Sequence, residues 1–482
     1  MASGKRITRR QVLRIAGAAG GTAALAACGA TPTPQVVEKV VTQIVAATPE
    51  VVKETVVVQQ TVEKVVQQTV VVEKAVTPAP SDISGQVRLW VFPMTDNDQD
   101  TIWTPLNNRF KQAYPKIEVS LELLPWAGRR EKMLTAYAAG QQPDIAYVNT
   151  DTLSLFGTND VLAPLDDVIP SEVWDDLQGN LQAGLMWEGK RLMFPTLLIG
   201  TGYLYNKKLF SEIGWDPEKP PLTWDDIRKL GADSKAKGYF MTSWNTTNWG
   251  DNWITPLWQA GGNVYSKDLT KVQLTSDAAH ETLQFMVDLF QNGWVPKEGA
   301  VGTEQEASAV APTNYWITGK QTLSDVGNPN ITTNTRAQAK DLEFGFVPVW
   351  KNKRQTQLGG AGCWGMFKNS KAPKAAEAWL LWMIAPEQQG FYGSVTKFAP
   401  PRKSAWQYWA AEADPKKFVE IRLQYLEMNQ DSSYFWQEGK ITCAPQFQAA
   451  VLGMKTVDQA LSDAQTDLQK IVDDWNAKRK KS

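Results

Sequence analysis

The chain has 482 residues, 50 of them basic and 51 acidic, for a formal net charge of −1. So even a balance excludes the strongly basic face that nucleic acid requires. One histidine, His280, and three cysteines leave metal chemistry and imidazole acid–base catalysis poorly supplied, so neither metal nor cofactor is expected.

The N-terminus reads as an export address. Arg9-Arg10 precedes a short apolar run from Ile15 to Ala27, which ends Leu25-Ala26-Ala27-Cys28. Crossing a bilayer takes about 20 apolar residues, more than this run has. A basic start and a brief apolar core mark a cleaved leader instead. The arginine pair resembles the twin-arginine signal, and the end resembles a lipobox, whose cysteine becomes the lipidated first residue. Cys28 would then tether the protein to the extracellular face of the cell membrane, or within a periplasm. Residues 29–85 contain no Trp and no Phe and read as a solvated stalk. Val37, Val41, Ile44, Val51, Val58, Val62, Val65, Val72 and Val76 fall on a heptad seam that would let helical stalks self-associate. An extended linker is the alternative, because Pro49 interrupts the seam and valine is a mediocre helix former.

The remaining residues, about 400, are too many for one core and suit two lobes. Gln86–Phe92 alternates as a strand. Thr104–Tyr114 reads as a helix ended by Pro115, and Ile117–Leu123 as a second strand. Arg129–Ala139 is a helix closed by Gly140. Pro143–Val148 is a buried strand, with Asn149-Thr150-Asp151 just past its end. Strands alternating with helices predict an α/β fold with a mainly parallel sheet covered on both faces, and ligands gather outside the carboxyl ends of such strands. Farther on, Lys374–Ile384 is a predicted helix that buries Trp379, Leu380 and Met383. Another starts at Pro386, and the last 35 residues form one long helix.

Several short motifs then fall into a familiar order. Gln142-Pro143-Asp144-Ile145 is followed by Val161-Leu162-Ala163-Pro164-Leu165-Asp166, then by Gly202–Phe210 and Thr223-Trp224-Asp225-Asp226. Gly261-Gly262-Asn263, Gly359–Gly365 and Pro400–Ser404 come later. Together, from about Gly85 to the C-terminus, they resemble the family-1 extracellular solute-binding proteins. That resemblance implies a two-lobe type II periplasmic-binding fold with three hinge crossings. It also implies no catalysis, and delivery of the solute to the permease subunits of an ABC importer. The crossings would lie at Phe194–Leu198, Phe344–Val349 and Ala399–Arg402. Lobe one would span 86–194 plus 350–398, and lobe two 199–347 plus 402–482. Cys363 and Cys443 would then sit in different lobes as free thiols.

The 21 Trp, against 16 Phe and 12 Tyr, bear on the ligand. An indole offers a flat face and one N–H donor, which suits a sugar ring, although any single Trp is better read as packing. From the first lobe the candidate contacts are Asn97, Trp126, Asn149 and Asp151, the last equally readable as a helix N-cap. Gly359–Trp364 adds Gly360, where the backbone can approach a ligand, and Trp364 as a cover; a tightly packed strand start is the alternative. From the second lobe come Trp244, Trp249, Asp251 and Trp253, in a run where Asn and Asp separate the indoles. Gly327 and Asn328 match a further family position. The expected guest is a neutral sugar or oligosaccharide, since the named loops supply few cations for a glycerol phosphate and few carboxylates for a polyamine. A secreted glycoside hydrolase with Asp151 and Asp251 facing each other is the catalytic alternative.

Overall fold

The computed structural model describes residues 82–178, 181–301 and 314–479. The leader, Cys28 and the stalk with its heptad seam lie outside the described residues. The body opens with β1 (Gly85–Val91), α1 (Thr104–Ala113), β2 (Ile117–Leu123), α2 (Arg129–Ala138), β3 (Ile145–Asn149), α3 (Leu153–Thr158) and α4 (Ser171–Asp175). The short hairpin β4 (Met186–Trp187) and β5 (Lys190–Arg191) leads into β6 (Phe194–Ile199). Next come β7 (Leu204–Asn206), α5 (Lys207–Glu212), α6 (Trp224–Ala236), α7 (Thr255–Gln259), α8 (Asp277–Gln291), α9 (Asn330–Gln338) and β8 (Phe344–Phe346). The chain finishes with β9 (Gln357–Leu358), β10 (Gly360–Met366), α10 (Pro373–Met383), α11 (Pro386–Thr396), α12 (Ala413–Leu423), β11 (Leu426–Glu427), α13 (Trp436–Val451) and α14 (Val457–Arg479).

Two large apolar cores account for the two lobes. The first is built on a five-stranded sheet of order β2-β1-β3-β10-β6. β1 runs parallel to β2 and β3, while β10 runs antiparallel to β3 and β6. β3 buries its first four residues in succession, as a central strand covered on both faces must. Leu106, Phe110, Met133, Trp379, Leu380 and Met383 close that core from the helices. The second core gathers Trp224, Trp253, Trp258, Phe285, Phe447 and Leu468 around helices, with only short strand pairs such as β7–β8. Helix starts are set locally. Asn206 Oδ1 accepts the Leu209 N–H at 3.1 Å at the head of α5. Thr223 and Asp226 cap α6 reciprocally, at 3.1 and 2.9 Å.

The crossings fall elsewhere than the sequence suggests. Phe194–Ile199 is not a crossing but the edge strand of the first sheet, and the chain leaves that lobe only after Ile199. Phe344–Phe346 pairs with β7 inside the second lobe, and Val347 and Trp350 are buried there. The passage back comes at Leu358–Gly360, between β9 and β10. Pro401–Ser404 stays on the first lobe because Asp176 holds it: its carboxylate takes the Arg402 Nε–H at 2.7 Å, the Ser404 N–H at 3.1 Å and the Ser404 hydroxyl. Trp406 and Trp409 then pack on the first core as well. Cys363 and Cys443 are free thiols, one sealed in each core.

Burial alone would raise the Asp176 carboxyl, but the Ser404 hydroxyl and the Arg402 guanidinium hold it below the usual carboxylate value. A depressed folded pKa adds stability above the unfolded value of about 4 and loses it as pH falls through the folded one. Asp176→Asn should therefore cost about 1–3 kcal/mol in urea unfolding at neutral pH. The gap to the parent should close in acid, below about pH 4.

Candidate functional site: the cleft between the lobes

The loops at the ends of β3 and β6, together with the start of α2, face the start of α13 and a π-helical turn at Gly250–Ile254. They enclose a cavity of about 300 Å³. Its first-lobe wall is Arg129, Arg130, Asn149, Thr150, Asp151 and Ile199, and its floor is Thr201, Leu358, Gly359 and Gly360. Asn248, Gly250, Asp251, Ser432, Trp436, Gln437 and Lys440 make the second-lobe wall.

Asp151 sits between two guanidinium groups. Its Oδ2 accepts from Arg130 Nη2, and from Arg129 Nη2 at 3.4 Å. It caps no helix; the short helical turn after β3 starts without a side-chain cap. Across the cleft, the Gln437 amide oxygen, turned toward Arg130, accepts from its Nη2 at 2.9 Å. Asp251 accepts the Thr201 hydroxyl and the Asn248 amide at 3.2 Å. Burial raises the Asp251 pKa, and those two hydrogen bonds oppose the rise. Asp251 also borders a second, small cavity of about 40 Å³, lined by Tyr203, Trp350, Arg422 and the sequence candidate Trp244. Arg422 is buried and donates to the carbonyls of Phe418, Tyr203 and Val347, which ties β7 to the end of β8. Burial lowers its pKa to about 9.

Trp436 is the aromatic face of the cavity, and sequence reasoning missed it. Phe435 before it holds a left-handed backbone, φ 50°, which costs a non-glycine residue about 1 kcal/mol or more. The strain is held by packing: the Phe435 ring lies 5.4 Å from Tyr265 and 5.2 Å from Trp475. Its turn starts α13 with Trp436 and Gln437 facing the cavity. Gly250 opposite leaves room, since a Cβ there would press on Leu358 and on the Trp436 ring. In the sequence the place is marked by the aromatic run Tyr434–Trp436 between Asp431-Ser432-Ser433 and Gln437-Glu438-Gly439.

Of the residues singled out from sequence, Asn149, Asp151, Asp251 and Gly360 line the cavity together. The five tryptophans singled out do not. Trp364 is 0% exposed and packs against Trp103, Tyr147 and Trp379 in the first core. Its glycine-rich strand serves packing, because a Cβ at Gly362 would overlap the Tyr147 phenol. Trp244, Trp249 and Trp253 are buried in the second core beside Phe285 and Phe447. Some of the polar residues between them bond within the loop: Asn245 Oδ1 takes the Thr247 N–H and hydroxyl at 2.8 Å, and Asn252 donates to the Asn245 carbonyl at 2.9 Å; Thr246 and Asp251 bond beyond it, to Gly299 and Thr201. Asn97 is exposed and bonded to Asp100, away from the lining. Trp126 stacks on Phe92 at 4.9 Å under the Arg129 guanidinium, next to the cavity rather than in its lining. Gly327 pairs with Gly202, and Asn328 Oδ1 takes the Asn330 N–H, so neither reaches the cavity lining.

These positions separate by experiment. Trp364→Ala and Trp253→Ala should each lose about 3–5 kcal/mol in chemical denaturation, as emptied core sites do. Trp436→Ala, partly buried against the second core at the cleft, should cost less stability than either core change and weaken ligand binding about tenfold or more, measured calorimetrically.

Residues 95–390 match the family model described as bacterial extracellular solute-binding protein. A binding protein of Brucella abortus (strain 2308) is 22% identical over 71% of this chain and 83% of its own length. The diacetylchitobiose binding protein DasA of Streptomyces coelicolor is 23% identical over 66% of this chain and 73% of its own. Among solved structures, the sugar-binding protein MalE from Xanthomonas citri superposes with a TM-score of 0.72 at 18% identity, covering 83% of this chain and all of that one. The cyclic alpha-maltosyl-1,6-maltose binding protein of Arthrobacter globiformis gives 0.68 at 22% identity, over 81% of this chain and 99% of that one. The fold is therefore the two-lobe α/β binding-protein fold, and the chain belongs to the bacterial extracellular solute-binding protein family.

Proposed function

We propose that this protein captures a carbohydrate in the cleft and presents it to the permease subunits of an ABC importer, without catalysis. The observation that carries the reading is the cavity of about 300 Å³, lined from two separately cored lobes by hydrogen-bonding side chains and one indole face. Ligand pockets run from about 300 to 1,000 Å³, so this one suits a mono- or disaccharide. The names of the relatives, for diacetylchitobiose and for maltose-type sugars, support the same class. Export through the twin-arginine signal, lipidation at Cys28 and self-association through the stalk complete the proposal on the sequence motifs alone.

The catalytic alternative rests on Asp151 and Asp251 lining one cleft. In the binding reading both are hydrogen-bonded holders of the guest. The test is a thermal-shift screen of the purified protein against a panel of mono- and disaccharides. One sugar should raise the midpoint by a few degrees at concentrations well above its Kd, with no reducing sugar released from any disaccharide. Release that is lost in Asp151→Asn would favour the hydrolase, and a panel with no shift at all would remove the carbohydrate reading.

A further inference from the structure

Asp251 stands between two cavities. It lines the cleft and also the small cavity of about 40 Å³. The same two stretches of chain border both spaces: Thr201 and Leu358 line the cleft, while their neighbours Gly202 and Gln357 line the small cavity. Position 202 must be glycine there, because a Cβ would strike the Arg422 guanidinium.

Two indoles leave the small cavity chemically incomplete. Trp244 is 2% exposed and Trp350 7%, both line the cavity, and the Nε1–H of each is buried with no acceptor among the described residues. Tyr203 holds Trp350 in place, stacked on its face with ring centres 4.8 Å apart and 10° between the planes. Trp103 and Trp364 also leave their N–H unmatched, but within the first core. Trp244 and Trp350 instead share a cavity with a carboxylate. An indole only donates, and an ionised carboxylate only accepts. Asp251 takes one donor on each oxygen, the Thr201 hydroxyl on Oδ1 and the Asn248 amide on Oδ2, and a carboxylate has about four lone-pair sites. A group that accepts from an indole and donates to the carboxylate satisfies both sides, and that group is a hydroxyl. The charges bordering the cavity, Asp251 and Arg422, are opposite in sign and favour no ionic occupant. A water needs about 10–15 Å³, so the space suits a water or two, or one hydroxymethyl arm.

We propose, on the carbohydrate reading above, that the small cavity is a hydroxyl site, in which an oxygen accepts from the Trp244 or Trp350 N–H and donates to Asp251. The oxygen comes from a hydroxymethyl group of the guest or from a resident water. As a water, it makes Trp244 and Trp350 positioning residues for Asp251. Either way these indoles act through the N–H edge and not through a stacking face.

A crystal structure of the full-length protein with ordered waters visible should place an oxygen within about 3.2 Å of the Nε1 of Trp244 or Trp350, bonded onward to Asp251. A cavity with no oxygen there overturns the proposal, whichever sugar binds. Calorimetric titration with glucose and 6-deoxyglucose, galactose and 6-deoxygalactose, and the disaccharides built from them separates the two sources. If the guest supplies the hydroxyl, the 6-deoxy member should bind about tenfold or more weakly, and Trp350→Phe or Trp244→Phe, which keeps a ring and removes the N–H, should erase that difference. If water supplies it, the members of a pair should bind alike, and the variants should weaken both equally and move the acid loss of affinity to higher pH. Losing a donor disfavours the ionised form of Asp251, so the guest's acceptor is lost earlier as pH falls. The other ionisable groups around Asp251 are the same in parent and variants: Tyr203 and Arg422 at the small cavity, and Asp151, Arg129, Arg130 and Lys440 in the cleft. Variants that match the parent for every sugar and pH overturn the proposal too. A protein that binds none of these sugars fails the carbohydrate reading, and the crystal structure then decides the hydroxyl site alone.

Discussion

The chain passes between its two cores at Ile199–Tyr203, at Leu358–Gly360 and again beyond Trp409, and the first two passages step off the five-stranded sheet at the paired residues Ile199 and Gly360. Each must still find partners for its backbone N–H and C=O groups. They do so by bracing one another. Gln357 Nε2 donates to the Thr201 carbonyl at 2.5 Å, and the Gly359 N–H donates to the Glu427 carbonyl at 2.8 Å. Gly202 exchanges both backbone hydrogen bonds with Gly327, at 2.9 and 3.0 Å. The floor of the cleft is this bundle of crossings, which is why Thr201, Leu358, Gly359 and Gly360 line it. A site built on the hinge itself feels any change in hinge angle, and lobe closure of that kind needs only a few residues to move.

The regular first lobe was readable from sequence because its signals are local. Alternation in β1 and β2, the unbroken apolar run of β3, Pro115 after α1 and Gly140 after α2 each mark an element within a few residues. The crossings were not readable in the same way. Phe344-Gly345-Phe346 has the pattern of a strand between lobes, yet its place is decided by Leu204, Trp316 and Phe418, which are remote in sequence. The tryptophan run 243–253 misled for a related reason. Asn245 bonds Thr247 and Asn252 at short range, so polar neighbours did not keep the indoles at the surface. At a strand end the position itself is local, and Asn149 and Asp151 do border the cavity as the alternation of elements implied.

The two walls differ in what they bring. The first lobe supplies charge on rigid elements, since Arg129 and Arg130 stand at a helix start and Asp151 at the end of a central strand. The second supplies the aromatic face through a strained turn at Phe435 that Tyr265 and Trp475 hold in place. The Gln437 contact with Arg130 joins the walls at the mouth. Stacking of Trp187 on Tyr434, with ring centres 4.6 Å apart, joins the lobes away from the lining. Both contacts lie on opposite sides of the α13 start, so its position reports on both.

Cys363 and Cys443 lie at the bottom of separate interiors, each wholly covered, and burial drives both thiols far from the reactive thiolate form. Among the described residues, the folded protein offers an oxidant no exposed thiol and no pair of cysteines to bridge. While unfolded it exposes both of these sulfhydryls, which invite wrong pairings with other chains. Such a molecule is safest if it acquires its shape in a reducing space before meeting an oxidising one, and the order of those two events would govern its yield.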